Sequence, residues 1–234
     1  MRVVSRSEFF DSGAKLFDDT DIIVIKSCFE PNSLQTALTQ FQQTYKISEE
    51  IKISGPNSYN RSNYNRLDIG DFSQSNARFV RTCVDFDWNR STQFAEVFIE
   101  LQEIRDWFLD IKPSADHTYS LDGKTLANLP KILHYPQGGG FMCRHYDGYN
   151  NDCIPNILIS LTKRGVDFSE GGVYYEEDGC HIDAEELLEV GDVYFHTSST
   201  IHGVNAVDAS QELDLSLNQG RWALLLSLEA IPAS

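Results

Sequence analysis

Apolar and polar positions change rhythm partway along the chain, and the change divides it into two kinds of structure. Ile22-Ile-Val-Ile25 is a short β-branched run and predicts a strand. Pro31 then stands where a helix takes proline in its first turn, and Leu34, Ala37, Leu38, Phe41 and Tyr45 recur at helical spacing. Residues 77–86 predict a second strand. After Asn89 or Ser91, either able to cap, the stripe Phe94, Val97, Phe98, Leu101, Ile104, Trp107 and Phe108 predicts a second helix, ended by Pro113. Both stripes read as faces packed against a sheet. From Leu129 onward the period shortens to that of strands: 131–135, 141–147, 155–162, a segment closed by Asp178-Gly179, then 193–196, 201–207 and 221–228. About eight short strands at this spacing predict a mainly β fold with flanking helices, a double-sheet jelly roll or barrel.

Two stretches carry no such rhythm. Residues 55–76 read as a long polar loop, in which Tyr-Asn-Arg occurs twice, at 59–61 and 64–66. Loops of that length in a compact domain are often functional, and Arg61 and Arg66 could meet a carboxylate on a substrate. Residues 114–128 read as an uninformative loop.

Composition narrows the classes. With 234 residues and 41% hydrophobic content, one domain (1–234) with a full core is expected: 1–128 as supporting strands and helices, 129–234 as the jelly-roll core. The net charge of −16 argues against nucleic acid as partner, since phosphate neutralisation needs a basic face. The first residues lack the apolar run of a signal peptide, and no stretch is long and apolar enough for a transmembrane helix. Five widely spaced cysteines without a CxxC fit free thiols, so a cytoplasmic location is expected and a cysteine zinc site is not. Neither a membrane partner nor any particular oligomeric state is indicated.

The chemistry centres on residues 133–147, which end in His145-Tyr-Asp147. On a strand, that spacing puts imidazole and carboxylate on one face. Two histidines and one carboxylate form the facial triad of non-haem iron sites. The pair alone is weak, and His181-Ile-Asp183 repeats it without the preceding glycine run. His181, His196 and His202 are candidates for the third ligand. His202, 55 residues after Asp147 and on a predicted strand, fits well. His196 reads as a partly exposed loop histidine, and His117 and His134 as structural or surface residues.

Taken in order, Tyr135-Pro-x-Gly-Gly-Gly-Phe-x-x-x-His145-x-Asp147, Gly171-Gly172, Gly191-Asp192, His202-Gly-Val and Arg221 resemble the Fe(II)/2-oxoglutarate-dependent dioxygenases, in their prolyl-hydroxylase-like branch. The resemblance covers about the last 100 residues. It implies a double-stranded β-helix core (cupin-like), with Fe(II) held by His145, Asp147 and His202. It implies that Arg221 binds the distal carboxylate of 2-oxoglutarate, where a guanidinium fork suits a carboxylate. Tyr135 is placed near the cosubstrate, or else is a packed core aromatic. O2 is the second cosubstrate, and the retained Asp147 implies oxygen rather than halide chemistry. The implied outcome is hydroxylation of a C–H bond, with 2-oxoglutarate decarboxylated to succinate. A small molecule such as an amino acid or natural-product intermediate is the expected substrate. A peptidyl hydroxylase and a non-catalytic cupin-like sensor are the alternatives. Arg144, Tyr146, Tyr149, Asn150, Arg61 and Arg66 are candidate substrate contacts. Two departures stand out. Ala223 replaces a Ser or Thr usual in the family, and residues 208–220 form an insertion that could reach the active-site rim.

Overall fold

The computed structural model describes residues 1–12, 16, 20–44, 50–51, 64–68, 78–84, 93–110, 117–121, 123–147 and 156–230. The chain begins with β1 (Arg2–Ser5), α1 (Arg6–Ser12), β2 (Ile22–Lys26) and α2 (Pro31–Thr44). Next come β3 (Glu50–Ile51), β4 (Tyr64–Asp68), β5 (Arg78–Val84), α3 (Ala95–Leu109) and β6 (Thr118–Leu121). The remainder is strand: β7 (Lys124–Pro136), β8 (Gly140–His145), β9 (Asn156–Ser160), β10 (Gly172–Glu177), β11 (Cys180–Asp183), β12 (Val193–His196), β13 (Ile201–Val207) and β14 (Gly220–Ala230). The last eight are the strands of the expected jelly roll.

Hydrogen bonding runs β1-β2-β12-β9-β14-β7-β5 and continues β8-β13-β10-β11. The first seven strands form one sheet and the last four a second. β5 joins them: Arg81 to Val84 pair with β7, while Arg78 and Phe79 pair with β8. On the other flank, among the described residues, the first sheet meets the second at Glu177 of β10, which accepts from Thr20 over 2.7 Å and pairs with the amino group of Met1.

Two cores follow from strand alternation. In β2, Ile23 and Ile25 face the helices while Ile22 and Val24 face the second sheet. Both faces are buried, so the segment is a continuous apolar run. Phe9 of α1, Leu34, Leu38 and Phe41 of α2, and Phe98, Leu101 and Phe108 of α3 cover the outer face of the first sheet. There they meet Phe195, Trp222, Leu224 and Leu226. Between the sheets lie Leu133, Tyr135, Val173, Tyr175, Tyr194, Val204 and Val207. β14 therefore sends Trp222 toward the helices and Arg221 between the sheets.

Two expectations need correction. The segment 114–128 is not all loop: Thr118–Leu121 and Lys124–Pro136 form a hairpin around residues 122 and 123. Its signal in the sequence was the pair Asp122-Gly123, the same residue pair that stands between β10 and β11 at Asp178-Gly179. Tyr119 and Leu126 alternate inward among polar neighbours, too sparsely for an apolar period to stand out. Within the supposed loop 55–76, Tyr64–Asp68 is a strand paired with β5. Tyr45, Tyr59, Arg61, Asn89, Ser91 and Ile111 lie outside the described residues, and α3 starts after Phe94 without a side-chain cap.

The insertion 208–220 lies away from the expected rim. Asp208 accepts the amides of Ser169 and Glu170, and carbonyls at Val207, Asp208 and Gln219 accept from Gly139, Gly138 and Gln137. The loop thus covers the turn 137–139, at the Gly140 end of β8. His145 is at the other end, about 17 Å away for a strand of this length. Gly138, at φ +89°, lies against Leu213 of this loop, where a Cβ would come within 2.6 Å of its Cα.

Candidate metal centre

Register assembles the site. His145 closes β8 directly opposite His202 near the start of β13, and His202 is in turn opposite Tyr175 of β10. Cross-strand partners carry side chains on the same face, here the one between the sheets. Asp147 follows β8 by two residues, held by its own amide donating to Ser198 over 3.0 Å. One carboxylate oxygen of Asp147 is 3.5 Å from His145 Nε2 and the other 3.8 Å from His202 Nε2. Asn156 of β9 donates to the Asp147 carboxylate. Ligand atoms of His145, Asp147 and His202 all lie within 4.8 Å of one another, the one such convergence among the described residues. His181 and Asp183 do not join it. His181 is exposed on β11, stacked on Tyr174, and Asp183 takes Arg164 at 2.8 Å.

His196 is a residue the sequence reading misplaced. It is 2% exposed, not a partly exposed loop residue, because Val193-Tyr-Phe-His alternates and turns Tyr194 and His196 inward. Its Nε2 is 4.0 Å from the Asp147 carboxylate, and its ring centroid is 4.2 Å from that of His202. Each of the three imidazoles has Nδ1 on a backbone carbonyl: His145 on Cys143 at 2.8 Å, His202 on Thr200 at 3.0 Å and His196 on Thr197 at 3.2 Å. Such a bond fixes the tautomer and turns Nε2 toward the interior, as a free lone pair in His202 and His196 and toward the Asp147 carboxylate in His145.

The electrostatics agree with this arrangement. Burial acts against ionising Asp147, but the His145 hydrogen bond and the charges of His202 and His196 outweigh it. Its carboxyl is held well below the usual range. Burial, reinforced by His196, pushes His202 down to about 3, and burial lowers His196. Burial also opposes charge on His145, yet its bond to Asp147 and that carboxylate's charge raise it overall. His202 and His196 are thus held neutral beside an ionised carboxylate, and a divalent first-row cation would replace the proton that Asp147 favours on His145.

Deeper between the sheets lies Arg221, directly opposite Tyr135 in register, its guanidinium carbon 5.9 Å from that ring. It is fully occupied along one edge. Nε donates to Glu185 over 2.7 Å, with both side chains 1% exposed, and Nη2 donates to Tyr194 over 3.1 Å. Glu185 comes from a single 3-10 turn, Ala184–Glu186, after β11. Nothing in the sequence singled it out, since it stands in a run of acidic residues whose neighbour Glu186 is exposed. Ala223 faces Ser160 across β9, but that hydroxyl donates to the Thr162 carbonyl. The hydroxyl beside the arginine is instead that of Tyr194.

The proposed substrate contacts fare differently. Arg144 alternates away from His145 to the outer face, where Nε and Nη2 grip Glu176 at 2.7 and 2.8 Å, so it does not face the site. Tyr146, 64% exposed, also points outward between the two ligands. Arg66 has its backbone on β4, opposite Thr82 of β5. Arg61, Tyr149 and Asn150 lie outside the described residues, as does the side chain of Arg66. His117 bonds to Gln102 at 2.8 Å, and His134 is fully buried on the helix side.

No family profile and no curated protein sequence matches this chain. Solved structures do. A Pseudomonas putida prolyl-4-hydroxylase superposes with a TM-score of 0.59 at 12% identity, covering 93% of this chain and 96% of its own. The epimerase SnoN, solved with Fe3+, alpha-ketoglutarate and nogalamycin RO, gives 0.57 at 10% identity over 95% and 84%. An oxidoreductase of the 2OG-Fe(II) oxygenase family from Burkholderia pseudomallei gives 0.54 at 13% identity over 94% and 90%. The fold of this chain is therefore the jelly roll of the 2OG-Fe(II) oxygenases, across nearly its whole length.

Proposed function

We propose that the chain is a non-haem Fe(II)/2-oxoglutarate-dependent dioxygenase that oxidises a C–H bond of a small molecule, with hydroxylation as the default outcome. The observation that carries this reading is the convergence of His145, Asp147 and His202 inside a jelly roll of that family's shape. The donor set fits Fe(II). Its nitrogen and oxygen atoms are 3.5 and 3.8 Å apart at Asp147, wider than the roughly 3 Å between neighbours in a shell with bonds of about 2.0–2.2 Å, so the side chains would close slightly around an ion. When bound, iron with 2-oxoglutarate and O2 supplies oxidising power, and the cosubstrate leaves as succinate and carbon dioxide.

The chain's own residues do the rest. The carbonyls of Cys143 and Thr200 orient the two ligating imidazoles, and Asn156 holds the Asp147 carboxylate against rotation. Arg221 offers the interior cation for a distal carboxylate, with Tyr194 and Tyr135 beside it. Arg221, Tyr135 and Tyr194 are themselves buried between the sheets, which shields the guanidinium from bulk water. A small-molecule substrate is supported by the likeness to SnoN, whose structure holds nogalamycin RO. A peptidyl substrate is the second reading, supported by the likeness to the bacterial prolyl-4-hydroxylase and by the acidity that would draw a basic target.

The test is equilibrium Fe(II) or Mn(II) binding to the full chain, with succinate release measured over panels of small molecules and basic peptides. His145→Ala and Asp147→Ala are each expected to weaken metal binding by at least about tenfold. Unchanged metal binding in both variants sinks the site assignment. Metal binding without succinate release across both panels leaves the sensor reading in its place.

A further inference from the structure

Arg221 and Glu185 form a contact with a consequence for the cosubstrate. Arg221 stands where a distal carboxylate would be received, yet a carboxylate is already there, from the protein itself. Glu185 Oε2 accepts both Arg221 Nε, at 2.7 Å, and the amide of Val173, at 2.8 Å. Its other oxygen, Oε1, is buried without a hydrogen bond, and so is the hydroxyl of Tyr175. Tyr175 is the register partner of His202, so that hydroxyl belongs to the same interior space as the triad.

Glu185 is also built in rather than incidental. Gly172, at φ +112°, lies against it, and a Cβ there would come within 2.4 Å of Glu185 Cγ and 2.7 Å of its Cβ. Only glycine combines that backbone angle with that clearance. The chain thus keeps a cradle for a buried carboxylate whose cation is Arg221. Breaking such a pair by taking one partner away is strongly unfavourable, because it strands a buried charge. A second carboxylate arriving at the same guanidinium would leave a net negative charge in a low-dielectric interior.

Resting on the reading of this site as a 2-oxo acid centre, we infer that Glu185 is a cosubstrate-selecting residue, an internal competitor that 2-oxoglutarate must displace from Arg221. With the Arg221–Glu185 pair intact, the two charges cancel, and the buried polar atoms beside it that carry no hydrogen bond are Glu185 Oε1 and the Tyr175 hydroxyl. Those groups match an uncharged or hydroxylated tail, not a carboxylate. The wild-type protein therefore gains little from the distal carboxylate of a 2-oxo acid.

The experiment is calorimetric binding to the Mn(II)-loaded full chain, which prevents turnover. The probes are 2-oxoglutarate and 2-oxobutanoate, which share the chelating keto acid and differ in the distal carboxylate. Wild-type protein is expected to bind the two within about threefold of each other. Glu185→Gln keeps an acceptor for the Val173 amide and removes the competing charge. It is expected to tighten 2-oxoglutarate by at least about tenfold while leaving 2-oxobutanoate within about twofold. A folded Glu185→Gln protein with unchanged or weaker 2-oxoglutarate binding overturns the proposal, weaker binding meaning that Glu185 orients Arg221 for the cosubstrate. Should that variant not fold, the wild-type comparison decides alone, and a preference for 2-oxoglutarate of about 30-fold or more overturns it. If metal loads and neither acid binds either protein, the cosubstrate reading falls together with this one.

Discussion

His134 illustrates how a residue next to the chemistry can belong to the scaffold. It lies one position before Tyr135, so alternation sends it to the opposite face, into the helix-side core. Its ring stacks on Trp222 at 4.0 Å and 6°, Nε2 donates to the Gln219 carbonyl over 2.8 Å, and Nδ1 faces Arg81 at 3.4 Å. Burial, with the Arg81 charge, pushes it down to about 3, although the Gln219 bond opposes this. The folded protein thus holds His134 neutral at a pH where the unfolded chain, near 6.5, takes up a proton. The unfolded state binds the extra proton in that window, so stability is complete above about 6.5 and declines as pH falls toward 3. The decline attributable to this one residue is at most about 1.4 kcal/mol per pH unit. Urea unfolding of wild type and His134→Phe across this range is expected to show the difference between them shrinking as pH falls. Parallel curves would mean that the buried ring titrates as it does in the unfolded chain.

At the scale of elements, the turn 137–139 and the insertion 208–220 stabilise each other at the end of the jelly roll remote from the triad. The carbonyls of Asn218 and Gln219 also serve Trp222 Nε1 and His134. Shortening the insertion between residues 210 and 217, with Asp208 and residues 218–220 retained, is expected to lower stability by about 1–3 kcal/mol. Mn(II) affinity is expected to stay within about twofold, as for sites too far apart to couple. A larger loss of metal would place the loop near the site after all. The insertion's placement was not legible in the sequence, because spacing gives a loop's length and not the edge it folds over. The strands and the triad were legible for a common reason. Their signals are periodic or tied to chain order, as in Ile22-Ile-Val-Ile25, the glycine turn before β8, and His145 and His202 on strands. Glu185 and His196 were not, since each is an ordinary polar residue whose burial is decided by the facing strand or turn. The β6–β7 hairpin reads as loop in the sequence, because its apolar pattern is weak and the Asp122-Gly123 turn signal is passed over.

At the scale of the whole molecule, the two sheets are joined unequally. Along one flank β5 carries backbone hydrogen bonds to both, through Arg78 and Phe79 to β8 and through Arg81 to Val84 to β7. Along the other, the described contacts converge on one carboxylate, Glu177 of β10, which accepts from Thr20 and pairs with the amino group of Met1. Ladder hydrogen bonds open only with the element that carries them, whereas partly exposed contacts such as these two are worth about 0.5–1.5 kcal/mol each. The jelly roll is thus a book with a sewn spine and a light clasp. Native-state amide exchange is expected to be slowest along β5, β7 and β14 and faster along β10 and β11, with Glu177→Ala speeding only the latter. Uniform exchange across both flanks would contradict it. The clasp side is also the side of Tyr175 and Glu185, so small excursions there change the volume available beside Arg221 while the spine holds His145 still. A molecule hinged in this way would admit guests of different length at its inner wall without disturbing the end that carries His145, Asp147 and His202.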